Sequence, residues 1–360
     1  MKDQYLIGES IAAVDLFCGV GGLTHGLERA GIDVRLGVDI DPSCTFAFEA
    51  NNRARFLAAD VADLSPDVVK TAYDGASVSL LAGCAPCQPF STYARSARRE
   101  PTAAARRGRG RSEDWRLVET FHNLVTEVGP DLVTMENVPP LVDQTIFQNL
   151  VGELRKNYDV ACDIVECRMI GLPQTRRRLV LLASRFGPIS LPHFEIPEVS
   201  VRKTIGSLPA LSAGEQDPND PLHCASRLSA KNLQRIKASR PDGTWRDWPD
   251  ALKADCHSRA SGATYPSVYG RMRWEEPAPT ITTQAFGFGN GRFGHPEQDR
   301  AISLREAAML QGFPREYQFV RDGDPVTFST LGRLIGNAVP VPLGQIIGEV
   351  LQEHVRRMGQ

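Results

Sequence analysis

The sequence predicts an α/β protein with a doubly wound, mostly parallel sheet and a second, smaller domain. Short apolar strands alternate with helical segments through the first half of the chain, as in parallel sheets with helical crossovers. From residue 187 to 290 the composition shifts to many Pro, Gly and Ser residues with irregularly spaced aromatics. The predicted parts are a first domain at 10–186, a second at 187–300, a connecting segment at 301–327, and a C-terminal segment at 328–360 that returns to the first domain.

The elements of this pattern follow in order along the chain. The predicted strands are IAAVDLF, VRLGVDID, RFLAAD, VSLLAGCAP and DLVTMENV. The predicted helices are 24–31, SCTFAFEANN, about 114–128, 303–313 and the last apolar segment, VPLGQIIGEVLQEHV. Each strand of the first half therefore has a helix or a turn that returns the chain to the same edge of the sheet.

Composition sets limits on the partners and the compartment. The 41 Lys+Arg and 43 Asp+Glu give a net charge of -2, so basic residues that meet a nucleic acid must be gathered locally. The N-terminus lacks the apolar core of a signal peptide, and no apolar run approaches the roughly 18 residues of a membrane helix. Eight cysteines without an even framework suit a reducing cytosol.

The segment DLFCGVGG follows the first strand and opens a helix. Glycines let the backbone turn sharply and approach a ligand, and a helix N-terminus favours a carboxylate there. Asp39 and Asp60, at the ends of the next two strands, suit ribose hydroxyls and an adenine amine. The dinucleotide fingerprint is broken because its last glycine falls on Thr24. S-adenosylmethionine and NAD fit the motif alone comparably, and a plain glycine turn with two surface acids is the further alternative.

The segment GCAPCQPFS places Cys87 on a proline-bounded turn after a central strand. Such a turn presents a thiolate nucleophile at the ligand face of the sheet. The alternative is a redox or zinc site formed by Cys84 and Cys87. A zinc site needs a second pair, and the candidates, His223-Cys224 and Cys256-His257, are adjacent residues that rarely ligate one metal together. We therefore expect no metal.

Two further motifs supply groups that a nucleophilic cysteine needs. Glu136 ends the fifth strand in ENV, where a carboxyl group can bind or protonate a pyrimidine N3. In QTRRR, strand alternation puts Arg176 and Arg178 on one face and Arg177 on the other. Two arginines on one face suit a base carbonyl or a phosphate. A solvated basic strand end is the alternative.

Basic residues gather in two places. The segment YARSARREPTAAARRGRGRSED holds seven arginines and has no apolar core pattern, which is typical of a mobile loop that can close over a substrate and neutralise phosphates. A merely solvated loop is the alternative. A second basic segment, RLSAKNLQRIKASR at 227–240, lies in the predicted second domain.

In their order, DLFCGVGG, Asp39, Asp60, GCAPCQPFS, ENV, QTRRR, REAAMLQGFP and GNAVP resemble the motif set of the bacterial C5-cytosine-specific DNA methyltransferases. The resemblance covers most of the chain outside 187–280. It implies an S-adenosylmethionine-dependent, Rossmann-like methyltransferase fold with a target-recognition domain. It also implies that a cytosine flipped out of a specific duplex sequence is methylated at C5 through a covalent Cys87–C6 adduct, with S-adenosylhomocysteine as product.

The resemblance assigns roles residue by residue. It implies that Cys87 is the nucleophile, Glu136 the N3 partner and Arg176 the O2 contact, with Arg178 in the same site. The implied cofactor contacts are Phe17, Cys18, Gly19, Gly21, Gly22, Asp39, Ile40, Asp60, Val61, Pro86, Leu117, Asn337 and Ala338. The DNA contacts that we expect are Gln88, Ser91, Arg106, Arg107, Arg109, Arg111, Arg227, Lys231 and Arg235.

Two departures from the family pattern are visible. Ile40 stands where an aromatic residue often stacks on adenine. Cys84 brings a second thiol near Cys87, at a spacing that permits a disulfide.

Other functions remain open at this point. A tRNA cytosine methyltransferase shares the chemistry, a regulatory DNA-binding protein shares the fold, and an NAD dehydrogenase explains neither Cys87 nor QTRRR. We expect a monomer that acts on double-stranded DNA in the bacterial cytoplasm, at the nucleoid, without a membrane partner. It would serve a cognate restriction endonuclease or a phage-defence system, or act alone.

Overall fold

The computed structural model describes residues 10–86, 116–258 and 265–358. The strands are β1 Ile11–Leu16, β2 Asp33–Asp39, β3 Arg55–Ala58, β4 Val78–Gly83, β5 Leu132–Asn137, β6 Asp159–Glu166, β7 Gln174–Thr175, β8 Arg177–Ser184, β9 Gln216–Asp217, β10 Asp220–Cys224 and β11 Ala278–Pro279. The α-helices are α1 Gly22–Arg29, α2 Thr45–Glu49, α3 Pro66–Ala72, α4 Arg116–Val128, α5 Thr145–Leu154, α6 Val201–Ile205, α7 Ala230–Ala238, α8 Leu304–Leu310, α9 Phe328–Asn337 and α10 Val341–Met358. Short 3₁₀ turns lie at Pro42–Cys44, Val61–Asp63, Pro139–Asp143, Cys167–Ile170, Trp245–Asp247, Asp250–Leu252, Asp255–Ser258 and Phe288–Asn290.

The main sheet has seven strands in the order β3-β2-β1-β4-β5-β8-β6. The first five are parallel, whereas β8 runs antiparallel to both β5 and β6. All residues of β1 and β5 are buried, as in a parallel sheet that helices cover on both faces. The predicted doubly wound, mostly parallel sheet is confirmed.

The strand order reverses between β1 and β4. From β1 the chain moves outward to β2 and β3, and it then returns to lay β4 on the other side of β1. Leu16 pairs with Gly83, so both strands end side by side and their following loops leave the same edge. Such a reversal opens the crevice in which α/β sheets bind ligands.

Helices pack closely against the seven-stranded sheet. The buried residues of α4, Val118, Phe121, Leu124 and Val125, share one helical face. On α10, a Cβ atom at Gly344 would lie 2.8 Å from the Leu23 carbonyl oxygen, so α10 meets α1 at backbone distance. The stretch Phe328–Met358 is apolar enough to span a membrane, with a mean hydropathy of 1.4, but 72% of that window is buried in the protein. Such burial is typical of a core helix.

The chain forms two compact units. The first contains the residues up to Glu166, Arg177–Phe194 and the segment from Leu343 onward; the second contains Cys167–Arg176 and Glu195–Pro342. In this division 301–327 and α9 lie in the second unit, and α10 lies in the first. The predicted domain bounds, with a second domain at 187–300, stay a prediction.

The second unit has its own core, formed by Ile236, Trp245, Trp248, Phe288 and Ala301. It also holds a fully buried ion pair. Arg300 donates from Nη1 and Nη2 to the two carboxylate oxygens of Glu306, each at 2.7 Å, and the two residues are 0% and 1% exposed. Glu306 also completes a capping box with Ser303 at the start of α8.

We predict that Glu306→Gln lowers the free energy of unfolding by about 3–5 kcal/mol, because it leaves the Arg300 charge buried and unpaired. Chemical denaturation followed by tryptophan fluorescence measures the effect. The matched control is Glu353→Gln, which removes an exposed carboxylate bound to Arg356 and Arg357 on α10. The control should leave the denaturation midpoint unchanged. Equal midpoints for both variants would contradict the stabilising role of the buried pair.

Candidate active site

The glycine-rich loop after β1 has a backbone that few residues tolerate. Phe17, Gly19 and Gly21 have φ angles of 59°, 51° and 85°, in the left-handed region. A Cβ atom at Gly21 would lie 2.5 Å from the Asn52 amide nitrogen, whereas one at Gly19 would meet nothing within 4 Å. Gly21 is thus required by packing, while Gly19 exposes its backbone to open space. Gly22 then begins α1.

Asp39, at the end of β2, fixes this loop. Its Oδ2 accepts a hydrogen bond from the Gly19 backbone N–H at 2.9 Å, and its Oδ1 accepts one from Asp41. The neighbouring Ile40 side chain is 63% exposed, an unusual state for a large apolar residue beside a buried strand. An acid that orients a glycine loop and an uncovered apolar side chain therefore lie next to each other.

Asp60 and Val61 lie at the end of β3. Asp60 caps the turn at Val61–Asp63 by accepting from the Ala62 N–H at 3.0 Å, and Val61 is buried. Leu117 on α4 and Phe17 are half-buried and pack against the same core cluster. Pro86, the last residue described after β4, is half-buried.

Cys18, in contrast, is buried, and burial raises the pKa of its thiol well above the usual value. Its backbone N–H donates to the Val38 carbonyl at 3.1 Å. The thiol therefore stays neutral and has a packing role in the loop.

Asp15, on β1 just before this loop, is a residue that the sequence analysis did not single out. Its carboxyl group is fully buried and accepts from the Thr24 hydroxyl at 2.7 Å, while Oδ1 has no hydrogen-bond partner among the described residues. Burial raises the pKa of Asp15 to about 7, the Thr24 hydrogen bond opposes this shift, and the Asp39 charge adds to it. The available signal was an acid inside the otherwise apolar strand IAAVDLF.

The side chains of Cys84, Glu136 and Arg178 meet where β4 and β5 end and β8 begins. The Glu136 side chain is 3% exposed, and its Oε1 lies 2.6 Å from Arg178 Nε. Its Oε2 accepts a hydrogen bond from the Cys84 thiol, with Sγ at 2.8 Å. The strand register explains the ion pair: Glu136 pairs with Val180, so Arg178, two residues away on β8, lies diagonally opposite on the same face.

Asn137 ties the loop after β4 to β5. Its Nδ2 donates to the Ala85 carbonyl at 2.9 Å, and its Oδ1 accepts from the Val138 N–H. The Cys84 backbone N–H donates to the Leu16 carbonyl at 3.2 Å. Cys84 and Ala85 are thus fixed by β1 on one side and by β5 on the other.

The expectation that Arg176 and Arg178 share one face of a continuous strand is wrong. Arg176 lies between β7 and β8 and belongs to the second unit. It is 4% exposed and its Nη1 donates to the Ile281 carbonyl at 3.1 Å and to Gln311 Oε1 at 3.4 Å. The strand breaks at Arg176 because its backbone bonds to Cys167 and Gln174 instead of continuing the ladder.

The other predicted site residues fall in the second unit or outside the described part of the chain. Asn337 ends α9 in the second unit and is exposed, whereas Ala338 is buried and its carbonyl accepts from Gln311 Nε2 at 2.6 Å. The residues outside the described part of the chain are Cys87, Gln88, Ser91, Arg106, Arg107, Arg109 and Arg111. The Cys84–Cys87 disulfide suggested by the spacing also falls outside that part.

The predicted basic DNA contacts of the second unit divide into two kinds. Arg227 and Lys231 are exposed. Arg235 is 8% exposed, with its guanidinium carbon 5.7 Å from the Trp248 ring and 5.3 Å from the Tyr269 ring, and its Nε donates to the Leu252 carbonyl. Arg235 therefore stabilises the core of its own unit, and the predicted DNA contact of this residue stays a prediction.

The histidine of the suggested zinc pair His223-Cys224 has other partners. Its ring nitrogens lie 2.9 Å from the Ser303 hydroxyl and 2.9 Å from the Pro209 carbonyl oxygen. Within residues 10–86, 116–258 and 265–358, no group of three or more His, Cys, Asp or Glu residues could hold a metal ion.

The chain is similar to known proteins along nearly its whole length. Residues 11–353 match the profile of the family described as C-5 cytosine-specific DNA methylase. The Type II methylase M.HgiDII of Herpetosiphon aurantiacus is 47% identical over 348 residues, which cover 95% of each protein. The Type II methyltransferase M1.HphI of Haemophilus parahaemolyticus is 29% identical over 95% of this chain and 87% of its own.

A solved structure of a DNA modification methyltransferase encoded within an E. coli prophage has a TM-score of 0.71. It covers 96% of this chain and 100% of its own at 22% identity, which shows a common fold.

We predict that Asp15→Asn stabilises the protein increasingly as the pH rises. The pKa of Asp15 is raised from 3.8 to about 7 on folding, so the folded protein binds this proton more tightly and loses stability as the pH rises through that window. The advantage of the amide should grow by up to about 4 kcal/mol between pH 4 and pH 8. Denaturant unfolding of both proteins across this range measures it, and a constant difference would contradict the buried, raised carboxyl.

Proposed function

Since this chain belongs to the C-5 cytosine-specific DNA methylases, we propose that it moves the methyl group of S-adenosylmethionine to C5 of a flipped-out cytosine in a specific duplex sequence, through a covalent bond from Cys87. The chain is a DNA cytosine-5 methyltransferase. The observation that carries the finer proposal is the buried Glu136, held by Arg178 and Cys84 at the ends of β5, β8 and β4.

The residues of the glycine-rich loop fit S-adenosylmethionine. Gly19 offers backbone that faces open space, and the exposed Ile40 side chain offers an apolar surface for adenine. Asp39 stands beside them with its carboxylate already turned toward the loop, where it suits ribose hydroxyls. Burial raises the pKa of Asp15 and the charge of Asp39 adds to this shift, so a cation beside these two acids would be favoured. Ile40 supplies weaker stacking than an aromatic residue would.

The remaining cofactor contacts follow from the family resemblance. Phe17, Asp60, Val61, Pro86 and Leu117 lie in the first unit, as the glycine loop does. Asn337 and Ala338 are proposed as cofactor contacts on the same resemblance. When bound, S-adenosylmethionine supplies an electrophilic methyl group.

Glu136 and Arg178 bind the reacting base. The extruded cytosine exposes its ring face, which the base stack would otherwise cover. Arg178 is the better candidate for the O2 contact than Arg176, because Arg178 pairs directly with Glu136, whereas Arg176 Nη1 is bound to backbone and amide groups of its own unit. A carboxyl group at N3 and a guanidinium at O2 together draw electron density from the ring.

Cys87 completes the chemistry. Its thiolate adds to C6, and Glu136 neutralises the charge that develops at N3, which makes C5 a carbon nucleophile. After C5 is methylated, it loses its proton, and the C6–Sγ bond breaks to restore the aromatic ring and the free thiolate.

The target-recognition role belongs to the second unit. Arg227 and Lys231 are exposed there, and the arginines at positions 106, 107, 109 and 111 are proposed to neutralise phosphates near the catalytic turn. The named relatives are Type II methylases, which supports a role beside a cognate restriction endonuclease. We further propose that the enzyme is a monomer and works in the cytoplasm.

We predict that Cys87 is trapped on DNA in which 5-fluorocytosine replaces every cytosine. The C5 fluorine cannot leave as a proton does, so the adduct persists and survives denaturing electrophoresis. A long DNA of varied sequence is used so that the unknown target occurs in it, and an RNA transcript with the same base tests the tRNA alternative. Cys87→Ser should form no complex, whereas Cys162→Ser on the edge strand β6 should be trapped like the wild type. Equal trapping of Cys87→Ser would overturn the nucleophile assignment.

We predict that Glu136→Gln slows methyl transfer about 100- to 10,000-fold, because the amide keeps the shape but cannot neutralise charge at N3. Single-turnover transfer of radiolabelled methyl to DNA measures the rate. Glu166→Gln is the matched control, since Glu166 also lies on the sheet beside an arginine, 3.9 Å from Arg177 Nε, but at the edge strand β6. A Glu136→Gln rate within about threefold of wild type would remove Glu136 from the chemistry.

A further inference from the structure

We propose that Cys84 is a positioning residue for Glu136: its thiol donates a hydrogen bond that orients the carboxylate for the target base. The proposal rests on the proposed function of Glu136. The observation is the contact of 2.8 Å between Cys84 Sγ and Glu136 Oε2, at a position where the sequence departs from its family pattern.

The two oxygens of Glu136 have different partners. Oε1 lies 2.6 Å from Arg178 Nε, and Oε2 receives the Cys84 thiol. The Arg178 contact is an ion pair, and Oε1 has no hydrogen-bond partner among the described residues, so the thiol supplies the directional bond that sets the plane of the carboxylate. The Glu136 side chain is only 3% exposed, so water does not readily replace a missing thiol donor. The loss of the Cys84 hydrogen bond would therefore cost free energy.

The backbone around Cys84 makes the thiol a fixed donor. The Cys84 N–H is bonded to Leu16 on β1, and the next carbonyl, that of Ala85, is bonded to the Asn137 side chain on β5. Two consecutive residues after β4 thus bond to two consecutive residues of β5: Cys84 donates to Glu136, and Ala85 accepts from Asn137. The position of Sγ follows from the sheet itself.

In the same contact, Sγ of Cys84 is the donor and Oε2 of Glu136 the acceptor. We expect this neighbour to make Cys84 a poorer nucleophile than a thiol without a carboxylate beside it, because the thiolate is the form that attacks electrophiles.

The first test compares two substitutions of nearly equal size. Cys84→Ala removes the donor and should slow single-turnover methyl transfer about tenfold, with the Kd for DNA unchanged. Cys84→Ser keeps an O–H donor and should recover the rate to within about threefold of wild type. Cys162→Ser controls for the loss of a half-buried thiol elsewhere on the sheet. If serine and alanine slow the reaction equally, or neither does, the positioning role is wrong.

A double-mutant cycle shows whether Cys84 acts through Glu136. In a Glu136→Ala background, Cys84→Ala should have no further effect on the rate, because the group it orients is gone. An undiminished tenfold effect in that background would overturn the proposal. The failures are distinguishable: a Glu136→Gln enzyme of full activity refutes the proposed function, whereas an impaired Glu136→Gln with a fully active Cys84→Ala refutes only the inference about Cys84.

A third measurement does not depend on activity. In Cys87→Ser protein, iodoacetamide should alkylate Cys84 slowly, as peptide mass spectrometry measures, and the added Glu136→Gln change should accelerate it because the neighbouring negative charge is lost. Equal alkylation rates in the two proteins would show that the thiol and the carboxylate do not interact.

Discussion

The parallel pairing of β1 with β4 is the constraint on which the rest of the site depends. Leu16 and Gly83 end these strands side by side, and a Cβ atom at Gly83 would lie 3.0 Å from the Leu16 carbonyl oxygen and 2.9 Å from the Phe121 ring. Only glycine allows β4 to end this close to β1 and α4. Because the strand order reverses at this pair, the glycine-rich loop after β1 and the loop after β4 leave from the same edge of the sheet. In the proposed function, the methyl donor and the cytosine would meet in the crevice at that edge.

The antiparallel strand β8 adds what a purely parallel sheet would lack. A parallel strand beside β5 would end at the same edge and would offer a loop there. β8 instead begins at this edge, so that a side chain at its start, Arg178, lies against the end of β5 and meets Glu136. The ion pair is therefore a product of strand direction and register. It compensates a carboxylate that would otherwise be buried without an opposite charge.

Sequence patterns predicted the parts of the molecule whose signal is local. Apolar runs gave β1 and β5, and the glycines after β1 indicated a loop whose φ angles are indeed positive. Contacts between distant segments could not be predicted in this way. The side chain of Arg176 is held by partners more than 100 residues away, and Arg235 is buried by aromatic rings that one helix's charge pattern does not reveal. The Cys84–Glu136 contact likewise joins residues 52 positions apart.

The arrangement around Glu136 also bears on how binding and chemistry are linked. A carboxylate that already has partners on both oxygens is held in one orientation before the base arrives, and a group in place reorganises little when charge develops on the substrate. The same partners mean that a base must compete for the carboxylate. In the proposed function, a cytosine would offer its exocyclic amine and N3 to Glu136 and its O2 to Arg178, and so would replace the interactions that it disturbs. Thymine presents a carbonyl oxygen where cytosine presents the amine, and would leave the carboxylate opposite an acceptor at the cost of an unmade hydrogen bond. On this proposal, the network would favour cytosine through interactions that other bases fail to restore, and the groups proposed to perform the chemistry would also choose the base.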